Sequence, residues 1–197
     1  MTSDDLQCTV QLMIKLDSKN KKIVIFADPH NDIDAVKAII HKEDGDINIC
    51  LGDWFDSFVY DEPRHYSETA KYVLNEFLPN PKNYTLIGNH DLHYLYRNSW
   101  VMCSGYEDWK YTEIDEIIGK HRENFRKKFH WAIVVDDILL THGGLDRRLV
   151  KPKCKTNDDI INGLFEAVND AESKLLSDDE HWFYQVGHSR GGRYRTG

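Results

Sequence analysis

Five short clusters in this sequence carry side chains that bind metal ions or move protons: Asp28-Pro29-His30, Gly52-Asp53-Trp54-Phe55-Asp56, Gly88-Asn89-His90-Asp91, His142-Gly143-Gly144 and Gly187-His188. Their carboxylate, amide and imidazole groups, with no cysteine among them, form a donor set that suits Mn, Fe or Zn. Taken singly, each cluster is weak evidence, because Gly, Asp and Asn dominate ordinary turns. What turn chemistry does not explain is their shared position. Each cluster follows directly on a short apolar run, and glycines beside them allow tight turns and close backbone approach.

Those runs are the elements that must position the clusters. Residues 23–27, 47–51, 84–87, 131–135, 138–141 and 183–186 are short and rich in β-branched residues, as buried strands are. An additional strand is expected over 10–16, joined to the run at 23–27 by the polar turn 17–22. Helical spacing recurs between the runs, over 33–43, 67–77, 112–129 and 157–176. Thr156 followed by Asp159 resembles a capping box at the start of the last of these. Alternating strands and helices predict an α/β protein, in which sites form at the carboxyl ends of strands. The segment 92–111 has no clean period and is rich in Tyr and Trp, so it reads as an insertion over one end of the sheet.

The five clusters, in this order, resemble the signature motifs of the calcineurin-like metallophosphoesterases. The run Thr141-His142-Gly143-Gly144-Leu145 and the pair Gly187-His188 look most like the protein Ser/Thr phosphatase branch. This resemblance implies a four-layer α/β/β/α sandwich with two mixed sheets and two divalent metal ions, with manganese expected ahead of iron or zinc. It implies Asp28, His30, Asp53, Asn89, His142 and His188 as metal ligands, with Asp53 bridging. Hydrolysis would then proceed by in-line attack of a hydroxide generated between the ions, with His90 as general acid and Asp56 as its partner. The expected activity is that of a phosphomonoesterase acting on a phosphoprotein or a small phosphorylated metabolite. A phosphodiesterase or dinucleoside polyphosphate hydrolase is the alternative, and a non-catalytic binding scaffold ranks below both. Protein phosphatases of this type carry Arg-Gly after the second motif, where this chain has Ser57-Phe58. Arg97 and Arg190 are therefore the expected phosphate-binding residues, ahead of Arg147 and Arg148.

Composition bounds the rest. A chain of 197 residues fits a single domain over 1–197, with the aromatic-rich insertion at 92–111. Its net charge of −8 argues against long nucleic acids as partners. No apolar run approaches membrane-spanning length, and Met1 to Gln7 lack a basic leader, so the expected location is cytoplasmic. Cys8, Cys50, Cys103 and Cys154 have no paired spacing and read as reduced thiols. Family members continue past the last motif, so the end at 193–197 is expected to be a truncation. His93 is expected to be a packing residue, while for Trp54 and Phe55 walling the site and simple burial are equally good readings. His41, His65, His121, His130 and His181 fit no ligand pattern.

Overall fold

The computed structural model describes residues 13–145 and 155–177. Strand β1 (Met13–Leu16) is followed by β2 (Ile23–Phe26), α1 (Ile33–Glu43), β3 (Ile47–Cys50), α2 (Pro63–Tyr72) and β4 (Asn83–Leu86). Then come α3 (Asn89–Tyr96), α4 (Asp108–Ile118), α5 (Arg122–Arg126), β5 (Phe129–His130), β6 (Ala132–Val135), β7 (Ile138–Leu140) and α6 (Asn157–Leu176). The strands form two sheets, ordered β1-β6-β7 and β2-β3-β4-β5. The first is mixed, since β6 pairs parallel with β1 and antiparallel with β7. Every described pair in the second is parallel. β1 thus belongs to the other sheet from β2, although a polar turn of a few residues connects them.

Alternation along the strands builds the layers. Ile14, Ile133 and Val135 of the first sheet meet Ile47, Ile49 and Leu86 of the second, filling the space between the sheets. On the outer face of the first sheet, Ala132 packs with Leu164 and Val168 of α6. Phe26 and Cys50 face the opposite way and pack with Val36, Ala70, Phe77 and the other helical residues. The order is therefore helix, sheet, sheet, helices, the four-layer arrangement that the motifs imply.

Helix boundaries follow local chemistry. α1 and α6 occupy the expected spans, each with a side-chain N-cap, Asp32 to the Ala35 N–H and Thr156 to the Asp159 N–H. α2 begins earlier than the apolar spacing suggests, at Pro63, whose fixed φ and missing N–H suit the first helical turn. It then widens into a π-helical turn over Val73–Phe77. The helix expected over 112–129 is instead three pieces. α4 starts at Asp108 and ends before Gly119, a turn over Gly119–His121 follows, and α5 runs into the short strand β5. A side chain at Gly119 would sit 2.8 Å from an Asp115 oxygen.

In the aromatic segment 92–111, Leu92, Tyr94, Leu95, Tyr96 and Val101 join the main core and Tyr106, Trp109 and Tyr111 pack against it, while Trp100 is exposed. Leu92 to Tyr96 belong to α3, where every residue from Asp91 to Tyr96 is buried. A helix buried on all sides has no amphipathic stripe to read. The expected strand at 183–186 lies outside the described residues.

Ile133 is fully buried between the sheets, level with Ile14 on β1 and Leu140 on β7. Ile133→Ala is expected to lower unfolding free energy by about 2–5 kcal/mol, with an unchanged denaturant slope in urea. A loss below about 1 kcal/mol would contradict a close-packed contact there.

Candidate active site

The second sheet is parallel, so β2, β3 and β4 all end on the same edge, and the loops they deliver lie side by side. Pairing between β2 and β3 continues past the strands. The Leu51 N–H donates to Phe26 O (2.8 Å), that of Asp28 to Gly52 O (3.1 Å), that of His30 to Asp53 O (3.0 Å) and that of Asn31 to Trp54 O (2.9 Å). Much of this backbone is left-handed, with φ of 52° at Asp28, 43° at His30, 66° at Asn31, 60° at Asp53 and 64° at Asp56. Asp, Asn and His enter that region more readily than other side chains, at some cost in strain, and such strain gathers at functional sites.

Two glycines let the loops touch. A Cβ at Gly52, where φ is 102°, would lie 2.8 Å from Gly88 Cα, and one at Gly88 would lie 2.7 Å from Asp53 Cγ. Asp91 closes the junction from beneath. Its Oδ2 accepts the N–H groups of Asp53 and Gly88, and its Oδ1 accepts that of Trp54, all at 2.9 Å. Burial and repulsion from Asp53 raise the Asp91 carboxyl to about 7, even though these N–H groups favour its ionised form. A cation beside Asp53 would relieve that repulsion.

Around Asp53 the acceptors converge. Asp28, Asp53 and His142 each place a donor atom within 4.8 Å of the other two. His142 Nε2 is 3.3 Å from Asp53 Oδ2 and 3.0 Å from Asn89 Oδ1, and His30 Nε2 is 3.9 Å from Asp53 Oδ2. The other nitrogen of each imidazole faces a backbone carbonyl, His142 Nδ1 at 2.8 Å from Leu51 O and His30 Nδ1 at 2.7 Å from Phe55 O. A carbonyl can only accept, so Nδ1 carries the proton in both, which directs Nε2 towards Asp53. That is how metal-binding histidines are normally oriented. Burial opposes charge on both Asp53 and His142, yet their mutual hydrogen bond and attraction outweigh it. Asp53 is held below the usual carboxylate range and His142 is raised to about 9. These oxygen acceptors and imidazole nitrogens fit divalent cations.

Beside this centre stands a second group. His90 Nδ1 is 3.0 Å from Asp56 Oδ2, and the His90 N–H donates to Asp53 Oδ1 (2.9 Å). Burial disfavours the imidazolium, but the bond to Asp56 and the charge of Asp53 prevail and raise the His90 pKa. Tyr94 donates its hydroxyl to Asp56 Oδ1 (2.5 Å), and the Cys103 thiol donates to Asp56 Oδ2 (3.3 Å). The rings of His30 and His90 lie 5.2 Å apart, so the two groups adjoin.

Of the residues singled out from the sequence, Asp28, His30, Asp53, Asn89 and His142 meet here, and His90 pairs with Asp56. His188 and Arg190 lie outside the described residues. Arg97 is directed to α4, where Asp115 (3.1 Å) and the Tyr111 hydroxyl engage its guanidinium. His93 is buried against Tyr106 with Nδ1 at 2.8 Å from Asn98 O, and Trp54 and Phe55 are core residues. Sequence reading missed three residues: Asp91 as the loop clamp, and Tyr94 and Cys103 as partners of Asp56. Tyr94 lies four residues after His90, the spacing of neighbours on one helix face, but that signal needs 89–96 to be recognised as helical. Cys103 carries no comparable signal.

The profile of the calcineurin-like phosphoesterase family matches residues 21–196. This chain belongs to that family. A search among curated proteins finds no match. Among solved structures, the chain is similar to a protein serine/threonine phosphatase from Saccharomyces cerevisiae with similarity to human phosphatase PP5. The two share 16% identity and a TM-score of 0.46 over 75% of this chain and 51% of that one. It is also similar to a candidate diadenosine tetraphosphatase, at 16% identity and a TM-score of 0.36 over 68% of this chain and 55% of that one. The chain spans about half the length of these solved proteins.

The clamp can be tested directly. Asp91→Asn keeps the shape but sets an amide donor against backbone N–H groups, and each orphaned buried donor costs about 1–3 kcal/mol. The expected result is lower stability in denaturant together with weaker Mn²⁺ binding by calorimetry. Unchanged values for both would remove Asp91 from this role.

Proposed function

We propose that this family member is a metal-dependent hydrolase of phosphate esters, acting as a phosphomonoesterase on a phosphoprotein or a small phosphorylated metabolite. The observation that carries this reading is the adjacency of the two groups: a cation-binding set around Asp53, and a histidine–carboxylate pair whose backbone is tied to the same Asp53. In this reading Asp28, His30, Asp53, Asn89, His142 and His188 hold two divalent ions, with manganese expected. Bound there, such ions supply Lewis acidity towards phosphoryl oxygens and lower the pKa of a water.

The chain's own residues do the rest. Asp53 offers Oδ2 to the cation side and uses Oδ1 to fix the His90 backbone, so metal and acid keep a set spacing. Asp56 holds His90 through Nδ1 and favours its imidazolium, which leaves Nε2 to protonate the departing alkoxide. Tyr94 fixes the other oxygen of Asp56, so the carboxylate cannot rotate away. Ser57 occupies the position where protein phosphatases of this type carry arginine. Its Oγ instead accepts the N–H groups of Val59 (3.1 Å) and Tyr60 (2.9 Å) and shapes the loop. With Arg97 engaged by Asp115 and Tyr111, Arg190 is the proposed phosphate clamp.

No helix among the described residues is long and apolar enough to cross a membrane. A cytoplasmic location belongs to the same proposal, and the free buried thiols of Cys50 and Cys103 are consistent with it.

Turnover of p-nitrophenyl phosphate beside bis-p-nitrophenyl phosphate, with Mn²⁺ and after chelation, tests the substrate class. Chelator-sensitive hydrolysis of the monoester is the expected outcome, and a preference for the diester would transfer the assignment to phosphodiesterase. Asp53→Asn is expected to lose metal and activity together. His90→Asn is expected to lower kcat by about 10²–10⁴-fold while metal content stays the same, as removal of a general acid does. Loss of metal from His90→Asn would contradict that role.

A further inference from the structure

Cys103 completes a triangle that the proposed hydrolysis does not require. Its Sγ lies 3.0 Å from His90 Nδ1 and 3.3 Å from Asp56 Oδ2, and those two atoms are 3.0 Å apart. One sulfur, one imidazole nitrogen and one carboxylate oxygen thus lie together as a candidate set of metal donors. In a tetrahedral zinc site, with bonds of about 2.3 Å to sulfur and 2.0–2.2 Å to nitrogen and oxygen, such donor atoms are separated by roughly 3.3–3.6 Å. The triangle needs to open by about half an ångström to reach that geometry. Cys103 sits beyond the end of α3 and is not held within a strand or helix, so a small adjustment of this kind does not disturb a ladder.

We propose that Asp56, His90 and Cys103 form a separate, inhibitory site for a thiophilic divalent cation such as Zn²⁺ or Cd²⁺. Its donors differ in kind from the oxygen and imidazole set around Asp53. The thiolate gives it a preference for softer ions that the neighbouring centre lacks.

A divalent ion entering the triangle displaces two protons, one from the Cys103 thiol and one from His90 Nδ1, and both leave to solvent. The fourth position is left to water. Asp56 stays hydrogen-bonded to Tyr94 through its other oxygen, so the carboxylate is already oriented for the ion.

The consequence for catalysis rests on the role given to His90 above; the binding does not. With Nδ1 on the ion, His90 loses both its bond to Asp56 and its imidazolium charge, and turnover stops.

The test uses the full chain loaded with Mn²⁺ and titrated with Cd²⁺. A thiolate-to-cadmium charge-transfer absorption is expected, rising in step with loss of p-nitrophenyl phosphate turnover. Cys103→Ser is expected to abolish that absorption and to raise the inhibitory Cd²⁺ concentration at least about tenfold. An absorption and an inhibition both unchanged in Cys103→Ser would overturn the proposal, placing the ion on another cysteine or at the Asp53 centre. X-ray absorption at the cadmium edge on the unmutated protein decides the matter should the variant fail to fold. One sulfur neighbour among nitrogen and oxygen supports the site, and none overturns it. A protein that shows the Cys103-dependent absorption yet no phosphatase turnover would keep this inference and sink the proposed function.

Discussion

Three backbone N–H groups from two different loops end on the buried carboxylate of Asp91, and the geometry of the whole centre depends on that meeting. Gly52 and Gly88 approach so closely that neither tolerates a Cβ, and without an acceptor beneath them the loop N–H groups would be buried with no partner. Asp91 supplies the acceptor from the first turn of α3, which couples the start of a helix to the ends of β3 and β4. Because the Asp53 N–H is one of the three, the carboxylate that faces the cation position is fixed through its own backbone. Asp53 is therefore positioned by a bond from its own backbone to the Asp91 carboxylate, and the placement of the candidate site depends on that one buried side chain.

The layers explain why such a junction can exist at all. Parallel β2, β3 and β4 put three loops on one edge, and the antiparallel turn from β6 into β7 brings His142 back across from the other sheet, where Leu51 O receives its Nδ1–H. Each sheet contributes residues alternately to the space between the sheets and to its own helical face, so the strands are gripped on both sides. Strained, left-handed backbone at Asp28, His30, Asn31, Asp53 and Asp56 is held by this support. α3 is enclosed so fully that it supplies Asn89, His90, Asp91 and Tyr94 as one rigid unit.

Much of this was legible because the chemistry and the fold obey separate, readable rules. Apolar runs of strand length located β2, β3, β4, β6 and β7 to within a residue or so, and α1 and α6 announced themselves by spacing and capping. Asp28, Asp53, Asn89 and His142 were legible as candidate ligands because each lies two or three residues past a strand. α3 was not, since burial on all sides erases the period that reveals a helix. Gly119 and the short β5 broke a span that spacing alone presented as one helix. The missed partners of Asp56, Tyr94 and Cys103, lie 38 and 47 residues away along the chain, and no spacing in the sequence links them to it. Arg97 lay near a motif in sequence but, in the αL position that ends α3, turns towards Asp115.

Asp53 joins the two halves of the centre, and its two oxygens face different tasks. Oδ2 looks towards His30 and His142, while Oδ1 accepts the His90 N–H. In the metal-free chain its negative charge helps to keep His90 protonated. A cation held beside Asp53 would cancel that help and leave Asp56 as the chief support of the imidazolium. Asp56 in turn divides its charge among three donors, His90, Tyr94 and the Cys103 thiol, and every hydrogen bond it accepts elsewhere weakens its hold on His90. In the proposed function, the acid strength of His90 is thus set by residues on the side away from Asp53. Tyr94 and Cys103 lie in the segment where the sequence shows no regular pattern, so the hydrogen bonds that tune the Asp56–His90 pair come from outside the motifs that mark the family.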